Sequence, residues 1–262
     1  MLSSPSWYPA IFQRTSRRSF RSDAPLTADE SARLESAALA FRPFPEARVA
    51  FIRKPPDAVL RGIIGAYGRI SGAPAFAAMI GRGDGPYVAE RVGYTGQAFI
   101  LEATALGLGT CWVSGMFRPG SVGRETLLEA GEKVFAVTPI GRPVERLTAK
   151  DRIFKALARS AQRKPLSETA SGTPPSPWQT QALEAARLAP SAANRQPWRF
   201  ETGPEAIIVS VAGGIDSGRY PKRLDCGIAM LHLELGARAG GAAGAWTPLA
   251  APEVACYAVG RR

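Results

Sequence analysis

Histidine is almost absent from this 262-residue chain, with His232 standing alone. No imidazole cluster can therefore ligate a metal, and no obvious imidazole general base is on offer. Cysteine is scarce as well. Cys111, Cys226 and Cys256 are odd in number and far apart, which argues against a disulfide framework and paired-cysteine metal sites and leaves them as buried small hydrophobes. No stretch reaches the ~18 uninterrupted apolar residues of a membrane-crossing helix. The opening MLSSPSWYPAIFQRTSRRSF lacks the charged, apolar, small order of a secretory signal. A soluble cytoplasmic protein without membrane contact is the expectation, and His232, set in an apolar helical pattern, is expected to be structural.

What is abundant is positive charge, a formal +11. A nucleic-acid surface is one reading of such a balance, since Lys and Arg neutralise phosphates. The basic residues are spread along the chain, though, and no basic zipper, paired-cysteine finger or aromatic RNA-binding motif accompanies them. Two dense spots remain: Arg17, Arg18 and Arg21, then Arg152, Lys155, Arg159, Arg163 and Lys164. Local phosphate binding suits them better.

The length admits one large domain or two small, intimately packed ones, and an internal repeat favours the second. LESAALA (34–40) matches LEAARLA (183–189) without gaps at a spacing of 149 residues, and Phe51 meets Phe200 at the same spacing. TGQAFILEATALGLGTCW (95–112) resembles DCGIAMLHLELGARAGGAAGAW (225–246), pairing Gly96 with Gly227 and Gly109 with Gly240 at a spacing of 131. Each is apolar nearly all round, which predicts a helix buried on most faces and closed by glycine caps. FAVTPIGRP (135–143) matches VACYAVGRR (254–262) at 119 as a buried closing strand. The α+β arrangement expected is helix, loop, strand, buried helix, strand, twice over. The boundaries are copy one at 11–145, a basic helix and linker arm at 146–177, and copy two at 178–262. Sheets at the centre are flanked by helices.

Chemistry is sought where the copies differ. Arg17, Arg18, Ser19 and Arg21 offer guanidinium forks and a hydroxyl within five residues, suited to a phosphate or equally to a solvated basic turn. APSAANRQPW (189–198) suits a tight turn exposing backbone donors and short polar groups. IGRGDGP (80–86) has Gly81 and Gly83 but Pro86 where a dinucleotide fingerprint needs its third glycine. It is read as a loop after a strand.

Together RRSFR, GLGTCW and APSAANRQPWRF resemble the signature of the FMN-dependent nitroreductase family, in its branch that fuses two degenerate units into a pseudo-dimer within one chain. The resemblance covers nearly the whole chain. It implies that Arg17, Arg18, Ser19 and Arg21 hold the FMN phosphate and ribityl chain, with Arg163 and Lys164 as a second basic pair. Pro190, Ser191, Ala193, Asn194 and Gln196 cover the isoalloxazine, and the backbone of Val113, Ser114 and Gly115 faces its reactive edge. It also implies a ping-pong cycle carrying hydride from NAD(P)H to a nitroaromatic or quinone, with the flavin and no side chain as the catalyst. A flavin-binding protein without NAD(P)H turnover and a basic non-enzymatic binding protein are the alternatives. Each copy keeps one functional segment, so one FMN per chain is expected, in a monomer acting as a fused dimer.

Overall fold

In the computed structural model, the residues described are 5–60, 70–85, 87–115, 117–144, 162–213 and 221–260. The basic stretch DRIFKALARSAQRK therefore lies, up to residue 161, outside the described residues. In chain order come α1 (Trp7–Gln13), α2 (Ala28–Ala40), β1 (Ala47–Ile52), α3 (Asp57–Leu60), β2 (Ala75–Arg82), α4 (Val88–Ala105), β3 (Gly109–Thr110), α5 (Pro119–Thr126) and β4 (Glu132–Gly141). There follow α6 (Leu166–Thr169), β5 (Ala170–Gly172), α7 (Pro177–Arg187), β6 (Trp198–Thr202), β7 (Ala206–Val211), α8 (Lys222–Ala239), β8 (Gly244–Pro248) and β9 (Glu253–Val259). None of these helices is long and apolar enough to cross a membrane.

The core forms around α4 and α8, each of 18 residues and buried along most of its length. Their all-round apolar character requires this, because no face of such a helix gains from solvent. Full burial of side chains such as Ile100, Leu101, Leu231 and Leu233 contributes about 1.5–3 kcal/mol each. The two helices cross in close contact. A methyl group at Gly93 would lie 2.0 Å from Leu224 O, and one at Gly227 would lie 1.9 Å from Glu90 O. Only glycine allows backbones this near. One continuous apolar cluster runs from Trp7 through α4 and α8 to Tyr257, joining the two ends of the chain in a single interior.

Two sheets flank the helix pair, so the centre is helical rather than the central sheets flanked by helices expected from sequence, because the two helices that are apolar all round take the most buried place. The first has the order β1-β2-β4-β3, all antiparallel, and the second β5-β6-β7-β9-β8. Beyond the parallel edge strand β5, which the arm after Lys164 supplies, the second order runs in the same sense as the first. Both carry an irregularity in the corresponding pair, between Met79 and Ile80 and between Val209 and Ser210. AFAAMI, the run ahead of the IGRGDGP loop, and AIIVSV form the central strands β2 and β7.

Spacings sharpen the recurrence. Glu30 Oε2 accepts from Thr27 N at the start of α2, and Gln179 Oε1 accepts from Ser176 N at the start of α7, 149 residues on. The long helices correspond at 134, however, and not at 131. Val88–Ala105 pairs with Lys222–Ala239, and left-handed Gly107 and Gly241 follow them (φ 76° and 81°). Gly93 and Gly227 share this spacing of 134, as do Gly107 and Gly241, whereas the pairings of Gly96 with Gly227 and Gly109 with Gly240 read from letters do not. Helix caps and crossing points fix the register, whereas Ala- and Leu-rich letters match at several offsets.

Gly227→Ala is expected to lower the unfolding free energy in urea by about 3 kcal/mol, the upper range for overpacking. Gly120→Ala, where a methyl meets nothing within 4 Å, should leave stability unchanged or raised. Equal effects would contradict the crossing described.

Candidate functional site

The basic motif begins where α1 stops. Arg14 N donates to Ala10 O to close the last turn, and the chain then leaves in extended form. Arg17 N donates to Thr110 O (2.8 Å), Ser71 N to Arg18 O (3.0 Å), Phe20 N to Ser71 O (2.9 Å) and Arg21 N to Arg142 O (2.9 Å). Pinned on several sides, the segment presents Ser16 and Arg18, two residues apart, to a cleft open to solvent. Arg17 lies instead over Gly109, and Arg21 turns outward to pair with Asp23.

The opposite wall is the loop after α7. Ala193, Asn194 and Gln196 all take left-handed backbone (φ 49°, 54° and 49°), which costs energy in non-glycine residues and persists only where the surroundings impose it. Here they do. Gln196 N donates to Ser191 Oγ (2.9 Å), Lys164 N to Gln196 Oε1 (2.8 Å) and Asn194 Nδ2 to Gln162 O (2.9 Å). Arg163 Nη1 donates to Asn194 Oδ1 (3.1 Å) and Lys164 Nζ to Arg195 O (3.2 Å). Asp225, buried in the first turn of α8, accepts from Ala192 N (3.2 Å) and Arg195 Nε (2.8 Å) and ties the loop to the core.

Of the residues proposed from sequence, Arg18, Ser114, Arg163, Pro190, Ser191, Ala193 and Asn194 line this one cleft. Arg17, Ser19, Arg21, Val113, Gly115, Lys164 and Gln196 stand outside the lining. Ser19 bridges to Ser71, and Val113 exchanges both backbone hydrogen bonds with Val137. Gly115 takes positive φ (72°) in the turn, while Lys164 and Gln196 shape the loop. Arg14, Ser16, Cys111, Trp112, Ala192, Leu224, Asp225 and Ile228 also line it and were not singled out. Asp225 carried a signal, as a lone acid opening an apolar helix must find a partner. Leu224 and Ile228, four apart on one helix face, become visible only once the register of α8 is known. Cys111, buried as its type suggests, nonetheless reaches the cleft.

Arg14 is the electrostatic centre. It is 9% exposed, and its Nε finds no hydrogen-bond partner. Burial above all, then repulsion from Arg163, pulls its pKa from 12.5 down to about 10. Burial also lowers that of Arg163. Among the described residues three guanidiniums thus converge on the cleft, and the one carboxylate lining it, Asp225, is engaged by the loop. Such an arrangement draws an anion. Among the described residues no group of three or more His, Cys, Asp or Glu is placed to hold a metal.

Residues 6–237 match the family described as "Putative TM nitroreductase", and the chain belongs to that family. Among solved structures it is similar to a Thermotoga maritima protein described as a "putative nitroreductase", at 19% identity and a TM-score of 0.63 over 99% of this chain and 95% of the other. The two share an α+β fold. A nitroreductase family protein from Clostridium novyi NT is similar at 17% identity over 53% of this chain and 86% of its own, with a TM-score of 0.44. An FMN-dependent nitroreductase from Clostridium difficile R20291 is similar at 18% identity over 54% and 92%, with a TM-score of 0.43. No curated protein matches the chain.

Behind the cleft wall His232 is fully buried, and burial above all pushes its pKa from 6.5 down to about 3. An unfolded chain takes up this proton near pH 6.5 but the folded one only near 3. Stability should therefore fall through that window by about 1.4 kcal/mol per pH unit. Glu132, held down at about 2 from 4.5, acts in a lower window. Between pH 6.5 and 4.5 His232→Gln is expected to remove roughly 2–3 kcal/mol of acid sensitivity, read by urea unfolding at each pH; an unchanged slope contradicts this.

Proposed function

We propose that the cleft is an FMN site, one per chain, and that the protein is an oxidoreductase passing hydride from NAD(P)H to an electron-poor acceptor such as a nitroaromatic or quinone. The observation that carries this reading is Arg14. A buried cation with an unpartnered Nε, beside Arg18 and Arg163, is costly until an anion enters. A phosphate monoester suits it, because planar guanidiniums bind phosphate oxygens in pairs. Membership in a nitroreductase family and the RRSFR and APSAANRQPW motifs point to a flavin as the bearer of that phosphate. The donor set fits the group.

In this reading Arg18 and Arg163 hold the phosphate from opposite walls, with Arg14 beneath. Pro190, Ser191, Ala193 and Asn194 close over the ring system, and the turn at Ser114 and Gly115 offers backbone donors to its edge. Arg17, Ser19, Arg21, Val113, Lys164 and Gln196 keep the two walls in place. Bound FMN supplies the hydride transfer, in two half-reactions of a ping-pong cycle. The protein's own part is to bind, orient and neutralise charge.

The stoichiometry rests on a second reading, that the chain is a fused pseudo-dimer with copies at 11–145 and 178–262 joined by the arm 146–177. It is supported by the matching sheet orders and by a pair of ion bridges. Arg195 meets Asp225 at 2.8 Å, and Glu46 meets Arg91 at 2.7 Å with the charges exchanged. The spacings between them are 149 for the loop residue and 134 for the helix residue, as for the other elements. Around Arg91, among the described residues, aromatic rings pack closely. Phe41 stacks on Tyr94 (6.2 Å), Phe44 meets it edge-on (5.5 Å) and Trp7 packs on Phe41 (5.0 Å). Tyr94 stands where the other half has Ile228, so aromatic rings fill the position of a second cleft.

Titration of the apo protein with FMN, followed by visible absorbance, is expected to saturate at one per chain, and a ratio of two contradicts the fused-site reading. Arg18→Ala should weaken FMN tenfold or more, since a charged hydrogen bond contributes about 1.5–3 kcal/mol. Arg14→Met should raise the stability of the unliganded protein by a few kcal/mol, on the order of 3, at any pH below about 10, because the lowered pKa marks a charge the fold disfavours. It should also abolish most of the stabilisation that FMN confers. Tight FMN binding without NADPH oxidation would retain the cofactor and reject the oxidoreductase.

A further inference from the structure

Trp112 lines the cleft, and its indole is held from behind by a chain of hydrogen bonds through both central helices. Trp112 Nε1 donates to Gln97 Oε1 on α4 (2.9 Å), and Gln97 Nε2 meets His232 Nε2 on α8 (2.8 Å). His232 Nδ1 in turn meets Ala185 O on α7 (3.0 Å). Gln97 and His232 are wholly buried. An indole can only donate and a carbonyl can only accept, so the chain has a single arrangement of protons. Trp112 donates to the Gln97 oxygen, the Gln97 amide donates to His232 Nε2, and His232 Nδ1–H donates to Ala185 O. A second proton on His232 would face the amide hydrogens, and turning the amide would then oppose the indole. Burial, with Arg14 and Arg163 nearby, keeps the ring neutral down to about pH 3. The helix at the far end, α7, leads directly into the Pro190–Asn194 loop. The chain therefore ties one wall of the cleft to the support of the other. Gly96 makes the room, since a methyl there would stand 2.7 Å from Trp112 Cη2.

We propose that Trp112 is the rigid wall against which the planar part of the ligand rests, and that Gln97 and His232 are positioning residues fixing it relative to the opposing loop. This rests on the flavin reading of the cleft. The test begins without ligand, with the Trp112 indole N–H identified in an NMR spectrum by its loss in Trp112→Phe. Its protection, measured against intrinsic indole exchange at each pH, should be high and steady between pH 8 and 5, and at least tenfold lower in Gln97→Leu and His232→Leu. His232→Gln, whose amide oxygen can replace the imidazole acceptor, should restore protection. Gly96→Ala, which displaces the ring without touching the chain's polar atoms, provides a second route if a chain variant does not fold. FMN should then bind the protection-losing variants about tenfold more weakly, with altered visible circular dichroism of the bound flavin. Unchanged indole exchange in folded Gln97→Leu overturns the clamp. Lost protection with unaltered FMN affinity and dichroism overturns the wall. If the wild-type protein takes up no FMN, the flavin reading and the ligand-wall role fail together, while indole exchange still decides the clamp.

Discussion

The close crossing of α4 and α8 is the constraint on which the rest of the structure depends. Two backbones can approach this nearly only through Gly93 and Gly227, and the approach brings the first turn of α8 beneath the β3 turn. Leu224, Asp225 and Ile228 then become the floor of a cleft whose other residues come from both ends of the chain. Asp225 binds the Pro190–Asn194 loop from below, while α1 crosses over α4 and delivers Arg14. Trp7 Nε1 donates to Glu102 Oε2 (2.6 Å) at the head of that path. Widening the helix pair would loosen all of these contacts together.

Energy is spent unevenly over this frame. Most of the molecule obeys ordinary rules, with apolar residues buried in one continuous core. The cleft does not, for it holds a buried guanidinium with an unpartnered Nε and three left-handed non-glycine residues within four positions. Departures of this kind cluster where a protein binds something. The region near Tyr94 has aromatic rings packed edge and face and an ion pair holding its loop, although the buried Glu46 Oε2 there also finds no partner. The cleft is open and charged, whereas the residues around Tyr94 are packed with rings.

Much of this was legible in the residues. The two long helices announced themselves by being apolar all round, and the closing strands by their apolar runs into Gly-Arg. Arg18, Ser114, Arg163 and the Pro190–Asn194 loop were identifiable because charged forks and turn formers stand out against an Ala- and Leu-rich background. Register was less so, because small apolar residues match at several offsets and only the crossing glycines and Trp112 with Trp246 select 134. Arg14 was hidden by position, three residues ahead of the motif and just past the end of a helix, where burial depends on what packs above it. Trp112, Gln97 and His232 were hidden because a hydrogen-bond chain across three helices has no sequence spacing. His232 was read as structural, and its neutral, fully bonded ring agrees with that while also reaching the cleft through Gln97.

A crystal structure of the protein soaked with FMN tests the central claim, that a single composite cleft serves this chain, most directly. The phosphate is expected among Arg14, Arg18 and Arg163 and the ring system between Trp112 and the Pro190–Asn194 loop, with no flavin near Tyr94 and Phe44. Flavin bound at the Tyr94 position, or phosphate held away from Arg14 with that guanidinium unchanged, would contradict it.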